Sequence, residues 1–236
     1  MNDCRLIWED GTCFEYAHDP LVMREQVARV FPDELAGFDR YSALNDKVGR
    51  SLLSRFQTVY GRTARCFTNE RLREALSVSE LLAGRNPFTK RASRCAFFTL
   101  HFTTRKRYTD VPYRTVLFGS SYRALVDEIF TGRELPTDML IDLYHPTAHS
   151  SDLVPSDADV FTARVPVPSL DQVEVDWEQA RAIVADQIVN VLATRCLPGL
   201  RSVLAKQKAL TPLKLQTPVE YSIDALRVIV DGELIP

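Results

Sequence analysis

Nine glycines are spread over the 236 residues, and no two of them lie closer than twelve positions. That spacing excludes the fingerprint that carries a dinucleotide on a strand-to-helix turn. There, glycines two and three residues apart give a tight turn and let the backbone approach a pyrophosphate. A chain of this length buries a real core as one large domain or two small ones. Its 45% hydrophobic and 25% charged residues are ordinary for a folded protein. A net charge of −2 gives no global attraction to nucleic acid or acidic lipid, so such a site must be local. The five cysteines form no C-x-x-C and are odd in number, which favours reduced thiols over a disulfide framework. The first ten residues are polar and do not read as a signal peptide, and apolar runs such as 95–102 are too short for a bilayer.

Asp10-Gly11 between two short alternating segments, 5–9 and 12–16, predicts a β-hairpin. Asp19-Pro20 caps a helix that Pro32 ends. Further helices are expected over 34–45, 47–67 and 70–82, the last stopped by Gly84. Strands are expected over 95–104, 114–118, 139–144 and 160–167, with a helix over 122–130. Asp176 starts a long helix that Pro198-Gly199 closes, with Trp177, Ala180, Ile183, Val184, Ile188, Val191 and Leu192 on one stripe. A final short hairpin is expected over 228–235. The fold class is α+β, a mixed sheet with an inserted helical layer. The division expected is 1–88 (hairpin and helical subdomain) and 89–236 (sheet and helices).

The expected helix over 48–67 places Val48, Leu52, Leu53, Phe56, Val59, Tyr60 and Phe67 in an arc of about 140°, with Arg50, Arg55, Arg62 and Arg65 outside it. An aromatic face beside a cationic one is the pattern of an interfacial helix, and also of a helix covering a core. Arg50, Leu52, Arg55, Phe56, Arg62 and Arg65 are therefore the membrane-surface candidates. A second basic cluster, Arg85, Lys90, Arg91, Arg94 and Arg105-Lys106-Arg107, has no accompanying nucleic-acid signature and reads as a solvated loop or lipid-phosphate contact. His145 and His149 have helical ligand spacing, but Pro146 argues for a loop, and no metal site is expected. Gly119-Ser120-Ser121 is sufficient as an ordinary N-cap. Catalytic residues of a recognisable kind are absent from the pattern.

Several phrases in order resemble the bacterial-type phytoene desaturases. They are Leu6-Ile-Trp8, Leu72-Arg-Glu-Ala75 through Gly84-Arg-Asn-Pro-Phe88, Thr115-Val-Leu-Phe-Gly119 and Tyr122 to Phe130. Leu143-Tyr-His-Pro-Thr147, Ser151-Asp-Leu-Val-Pro155, Val165-Pro-Val-Pro168, Asp176-Trp177, Leu197-Pro-Gly-Leu-Arg201 and Leu210-Thr-Pro212 continue the series. The resemblance implies a substrate- and membrane-binding body of a family that uses FAD, acts on long polyenes and sits on a membrane surface. The flavin motifs of that family have no counterpart in these phrases, as if the flavin lobe had been excised. A decayed or misassembled gene is the alternative origin. The expectation is a polyene- or lipid-binding protein or accessory subunit, with no cofactor of its own, cytoplasmic and peripheral on the inner face of a membrane. Its partners would be a polyene or lipid, a membrane surface and a protein or pigment assembly, and not nucleic acid. On the sheet, Phe97, Phe98, Leu100, His101 and Phe102 are the polyene-lining candidates, with alternate residues on opposite faces. Two alternatives stand beside it: a desaturase whose FAD comes from a partner chain or an unusual site, and a structural interaction protein without ligand.

Overall fold

The structure is a computed structural model that describes residues 4–48, 58–89, 94–149, 155 and 157–214. Asp10-Gly11 makes the first turn. Gly11 takes a φ of 83°, and Gly11 N donates to the Trp8 carbonyl at 3.0 Å, so β1 (Cys4–Ile7) folds back onto β2 (Cys13–Tyr16). Asp19 accepts from the amides of Leu21 and Val22 and starts α1 (Pro20–Val30), with proline at the first position where no donor is needed. Next come α2 (Leu35–Val48) and a short α3 (Val59–Thr63), and then α4 (Glu70–Leu82) with Asn69 as its cap and Gly84 at φ 77° as its stop. The remaining chain gives β3 (Ala96–Thr104), β4 (Arg114–Leu117), α5 (Tyr122–Thr131) and β5 (Ile141–Tyr144). It ends in β6 (Asp159–Val167), α6 (Trp177–Arg195), α7 (Leu200–Val203) and β7 (Leu204–Leu210).

All seven strands form one mixed sheet in the order β2-β1-β4-β5-β6-β3-β7. β1 and β4 run parallel, and the other described pairings are antiparallel. Because successive side chains point to opposite faces, Leu6 and Val116 enter one hydrophobic cluster while Ile7 and Leu117 enter the other. The first cluster packs under α1, α2, α4 and α5, through Val27, Phe38, Leu72, Leu81, Leu125 and Ile129. The second packs under α6, through Val184, Ile188 and Leu192 against Phe98, Leu100, Phe102, Phe161 and Ala163. This is the α+β mixed sheet with a helical layer that the sequence implies. The expected boundary at 88 does not part the sheet, since the N-terminal hairpin joins the later strands through the β1–β4 pair.

Three readings need correction. The helix expected over 47–67 is not continuous, because Thr58 is extended (φ −70°, ψ 159°) and its hydroxyl caps the five-residue α3. Ile183, placed on the buried stripe of α6, is 60% exposed, and the buried face runs instead through Trp177, Val184, Ala185, Ile188, Val189 and Leu192. Strand β7 was not anticipated. The hairpin expected over 228–235 lies outside the described residues.

Candidate functional site

Register carries side chains from distant parts of the sequence into one row across the sheet. Tyr16 pairs with Cys4, Arg114 with Tyr144, Tyr144 with Thr162, Thr162 with His101, and His101 with Lys208. Cys4 precedes the Arg5–Thr115 pair, so it falls beside Arg114 and closes the row between β1 and β4. Over the part formed by β2, β1, β4 and β5, helix α4 stands off the sheet. The gap is a cavity of about 270 Å³ lined by apolar Leu6, Leu76, Val78, Leu82 and Val116, aromatic Tyr16, Tyr113 and Tyr144, and Cys4, His18, Ser79 and Arg114. Its volume lies at the small end of ligand pockets, and an apolar wall with a few polar groups is their usual composition.

The polar groups of this floor are held firmly. Arg114 donates from Nε and Nη2 to the two oxygens of Asp142, at 2.8 and 3.1 Å, and the Asp142 side chain is fully buried. Burial works against the Arg114 charge, but the hydrogen bonds and charge of Asp142 outweigh it and raise the guanidinium above its ordinary value. Arg164 approaches the same carboxylate at 3.9 Å and lies over the Phe97 ring at 4.0 Å. Burial pushes the Cys4 thiol up to about 12, so it enters the cavity as a neutral group. Farther along the row, His101 Nδ1 meets Thr162 Oγ1 at 2.9 Å. Burial, aided by the Lys208 charge, pushes that imidazole down to about 4.

None of the five expected lining residues borders this cavity. Phe98, Leu100 and Phe102 are fully buried in the cluster under α6. Phe97 and His101 share the opposite face, Phe97 beneath Arg164 and His101 on Thr162. Of the membrane-surface candidates, Arg50, Leu52, Arg55 and Phe56 lie outside the described residues. Arg62 is half-buried and Arg65 exposed, while Tyr60 and Phe67 from the apolar arc are buried inside the protein. His145 and His149 flank a single turn of 3-10 helix. His145 is buried, 3.2 Å from Asp159, and His149 stacks on Tyr113. No cluster of three metal-ligating side chains occurs among the described residues.

The turn from β4 into α5 tests whether a dinucleotide fits, because β4 is half of the parallel pair. A Cβ added at Gly119 would fall 1.9 Å from Asp138 Oδ1. Asp138 Oδ2 accepts from Ser120 Oγ at 3.0 Å and from the Ser121 amide at 3.2 Å. The donors that would cradle a phosphate at this helix start already face a carboxylate, and a second anion there would be repelled. This turn does not fit the pyrophosphate of FAD.

Arg114, Asp142, Tyr16 and Leu76 went unremarked in the sequence, although one signal pointed to two of them. Arg114 and Asp142 are opposite charges in otherwise apolar strands (Arg114–Leu117 and Ile141–Tyr144), and burying either alone is costly.

No family model matches the chain. The phytoene desaturase (lycopene-forming) of Pseudescherichia vulneris is 23% identical over 334 residues, taking in 88% of this chain and 68% of that protein. That alignment runs over more positions than the chain's 236 residues, so the relative carries sequence between matched parts that has no counterpart here. The phytoene desaturase (lycopene-forming) of Paracoccus sp. is 34% identical over 117 residues, 50% of this chain and 23% of its own length. That of Pantoea ananas is 34% identical over 124 residues, 52% of this chain and 25% of its own length. The chain thus spans only about a quarter of these two relatives. No helix among the described residues is long and apolar enough to cross a membrane. The ordered phrases of the sequence and these matches agree, and the chain is a relative of the carotenoid desaturases.

Proposed function

We propose that this chain binds an apolar ligand, a polyene or related lipid, in the cavity between α4 and the sheet, and serves carotenoid metabolism as a binding protein or accessory subunit. The observation that carries the reading is that cavity, with aliphatic walls from α4 and β1 and aromatic ones from Tyr16, Tyr113 and Tyr144. Support comes also from the names of the relatives, which act on phytoene. The Asp138 carboxylate at the β4–α5 turn supports a role without a flavin held there. The exposed rim formed by His18, Ser79 and Tyr113 is where a donor membrane or partner protein would hand over an insoluble molecule.

The test is to purify the protein from pigment-producing cells and record its absorption spectrum. Structured polyene bands without flavin bands are expected, with the pigment lost in Leu76→Trp, whose indole would fill the cavity. Flavin bands would instead make the protein a desaturase with its own oxidant. A colourless preparation would remove the ligand.

A further inference from the structure

We propose that the cavity between α4 and the sheet selects an apolar chain ending in a carboxylate, and that Arg114 reads that end. The inference rests on the ligand-binding function proposed above and names the chemistry of the ligand. A site for a pure hydrocarbon needs no charge in its wall, because desolvating a guanidinium costs free energy without return. Yet Arg114 borders the aliphatic side chains Leu6, Leu76, Leu82 and Val116, with its side chain 30% exposed. Asp142 engages Nε and Nη2 and fixes the plane of the group. Nη1 has no acceptor among the described residues, and it is not sealed from solvent as a buried unpaired atom would be. The guanidinium is thus half satisfied by a buried partner and half available, pre-organised for one more charge-assisted hydrogen bond. Tyr144 packs under it, with the guanidinium carbon 5.0 Å from the ring centroid, which further restricts its motion. One free edge of one arginine suits a single carboxylate. A diphosphate would bring more negative charge than this edge offsets.

The two halves of the site therefore divide the work. The walls give affinity for an apolar chain through area removed from water, and Arg114 gives preference for one end of it. With a volume of about 270 Å³, the cavity takes a short chain or one terminus of a long one, not a complete forty-carbon polyene.

The experiment uses the full chain with two probes, all-trans-retinoic acid and its methyl ester, which differ in the terminal charge. Binding is measured by equilibrium dialysis at pH 7. The acid is expected to bind about tenfold more tightly than the ester. Arg114→Gln should bring the two probes level. Arg114→Lys keeps a cation without the two-pronged pairing to Asp142, and serves where the glutamine variant fails to fold. It should retain only part of the preference. Leu76→Trp should abolish binding of both probes. Equal binding of acid and ester by the unaltered protein would overturn the inference and leave the apolar-ligand function standing. Binding of neither probe would remove both, and a preference that survives Arg114→Gln would remove Arg114 from the role.

Discussion

His101 is held neutral by its surroundings rather than by its chemistry. It lies in the same cross-sheet row as Arg114 and Tyr144, is 5% exposed, and faces Lys208 across the β3–β7 pairing. Its folded pKa of about 4 is below the ordinary value of 6.5, so the unfolded chain binds the extra proton between those two values. Its contribution to stability is complete above pH 6.5 and is lost as pH falls toward 4, by on the order of 3 kcal/mol. Glu74 works the other way, since burial raises its carboxyl despite the hydrogen bond from Trp8. The discriminating measurement is urea denaturation of the wild type and His101→Gln at pH 7 and pH 4.5. The wild type should lose markedly more stability than the variant, and parallel losses would mean that His101 does not control this window. The sequence marked His101 as a polyene-lining candidate on a Phe-rich strand. It did not reveal which face held it, because alternation defines two faces without saying which element covers each.

Local chemistry made most elements readable, because each start and stop has a residue that causes it. Asp19, Asn69 and Asp176 accept from the first free amides of α1, α4 and α6, and Gly84 takes the positive φ that ends the α4 turn. The unreadable parts lacked such punctuation. Thr58 ends nothing in composition and falls on the cationic side of the expected helix, between Arg62 and Arg65, yet it is extended and interrupts that helix. Strand β7 has the sequence LAKQKAL, which alternates weakly and earns its strand form from pairing with β3 at the sheet edge. One glycine matters to helix packing. A Cβ on Gly37 in α2 would lie 2.3 Å from the Cys66 carbonyl oxygen and 3.1 Å from Phe67 Cδ1. Backbone cannot yield as a side-chain tip does, so α2 would have to move off the segment after α3. Gly37→Ala should therefore destabilise by about 1–3 kcal/mol despite the better helix propensity of alanine. Calorimetry would reveal this as a lower Tm, and a Tm equal to or above the wild type would refute the close packing.

At the scale of the whole molecule, sequence order and spatial order diverge, and the candidate site exists because of that divergence. The cavity draws its lining from residues 4–18, 75–82, 113–116 and 144, which meet only once β1 inserts beside β4 and β4 beside β5. No local pattern encodes that register, so the site was the least readable feature of the chain. The same topology argues that 1–88 and 89–236 depend on each other. Val116, Phe118, Tyr122, Leu125, Val126 and Ile129 belong to the later segment but are buried in the cluster under α1, α2 and α4. Arg195 at the end of α6 donates to the carbonyls of Ile7 and Phe118 at 3.1 and 2.7 Å, joining the ends of the parallel strands from the other side. Separated at the 88–89 bond, the first piece keeps a lone two-stranded hairpin, marginal in water, and the second exposes the β4 edge with a large apolar face. Neither piece should show a cooperative thermal transition alone, whereas coexpression should return a complex that co-elutes and melts as one unit. A cooperative transition in isolated 89–236 would show that its cluster under α6 suffices for folding, and would make the hairpin and helical layer an attachment rather than half of the core.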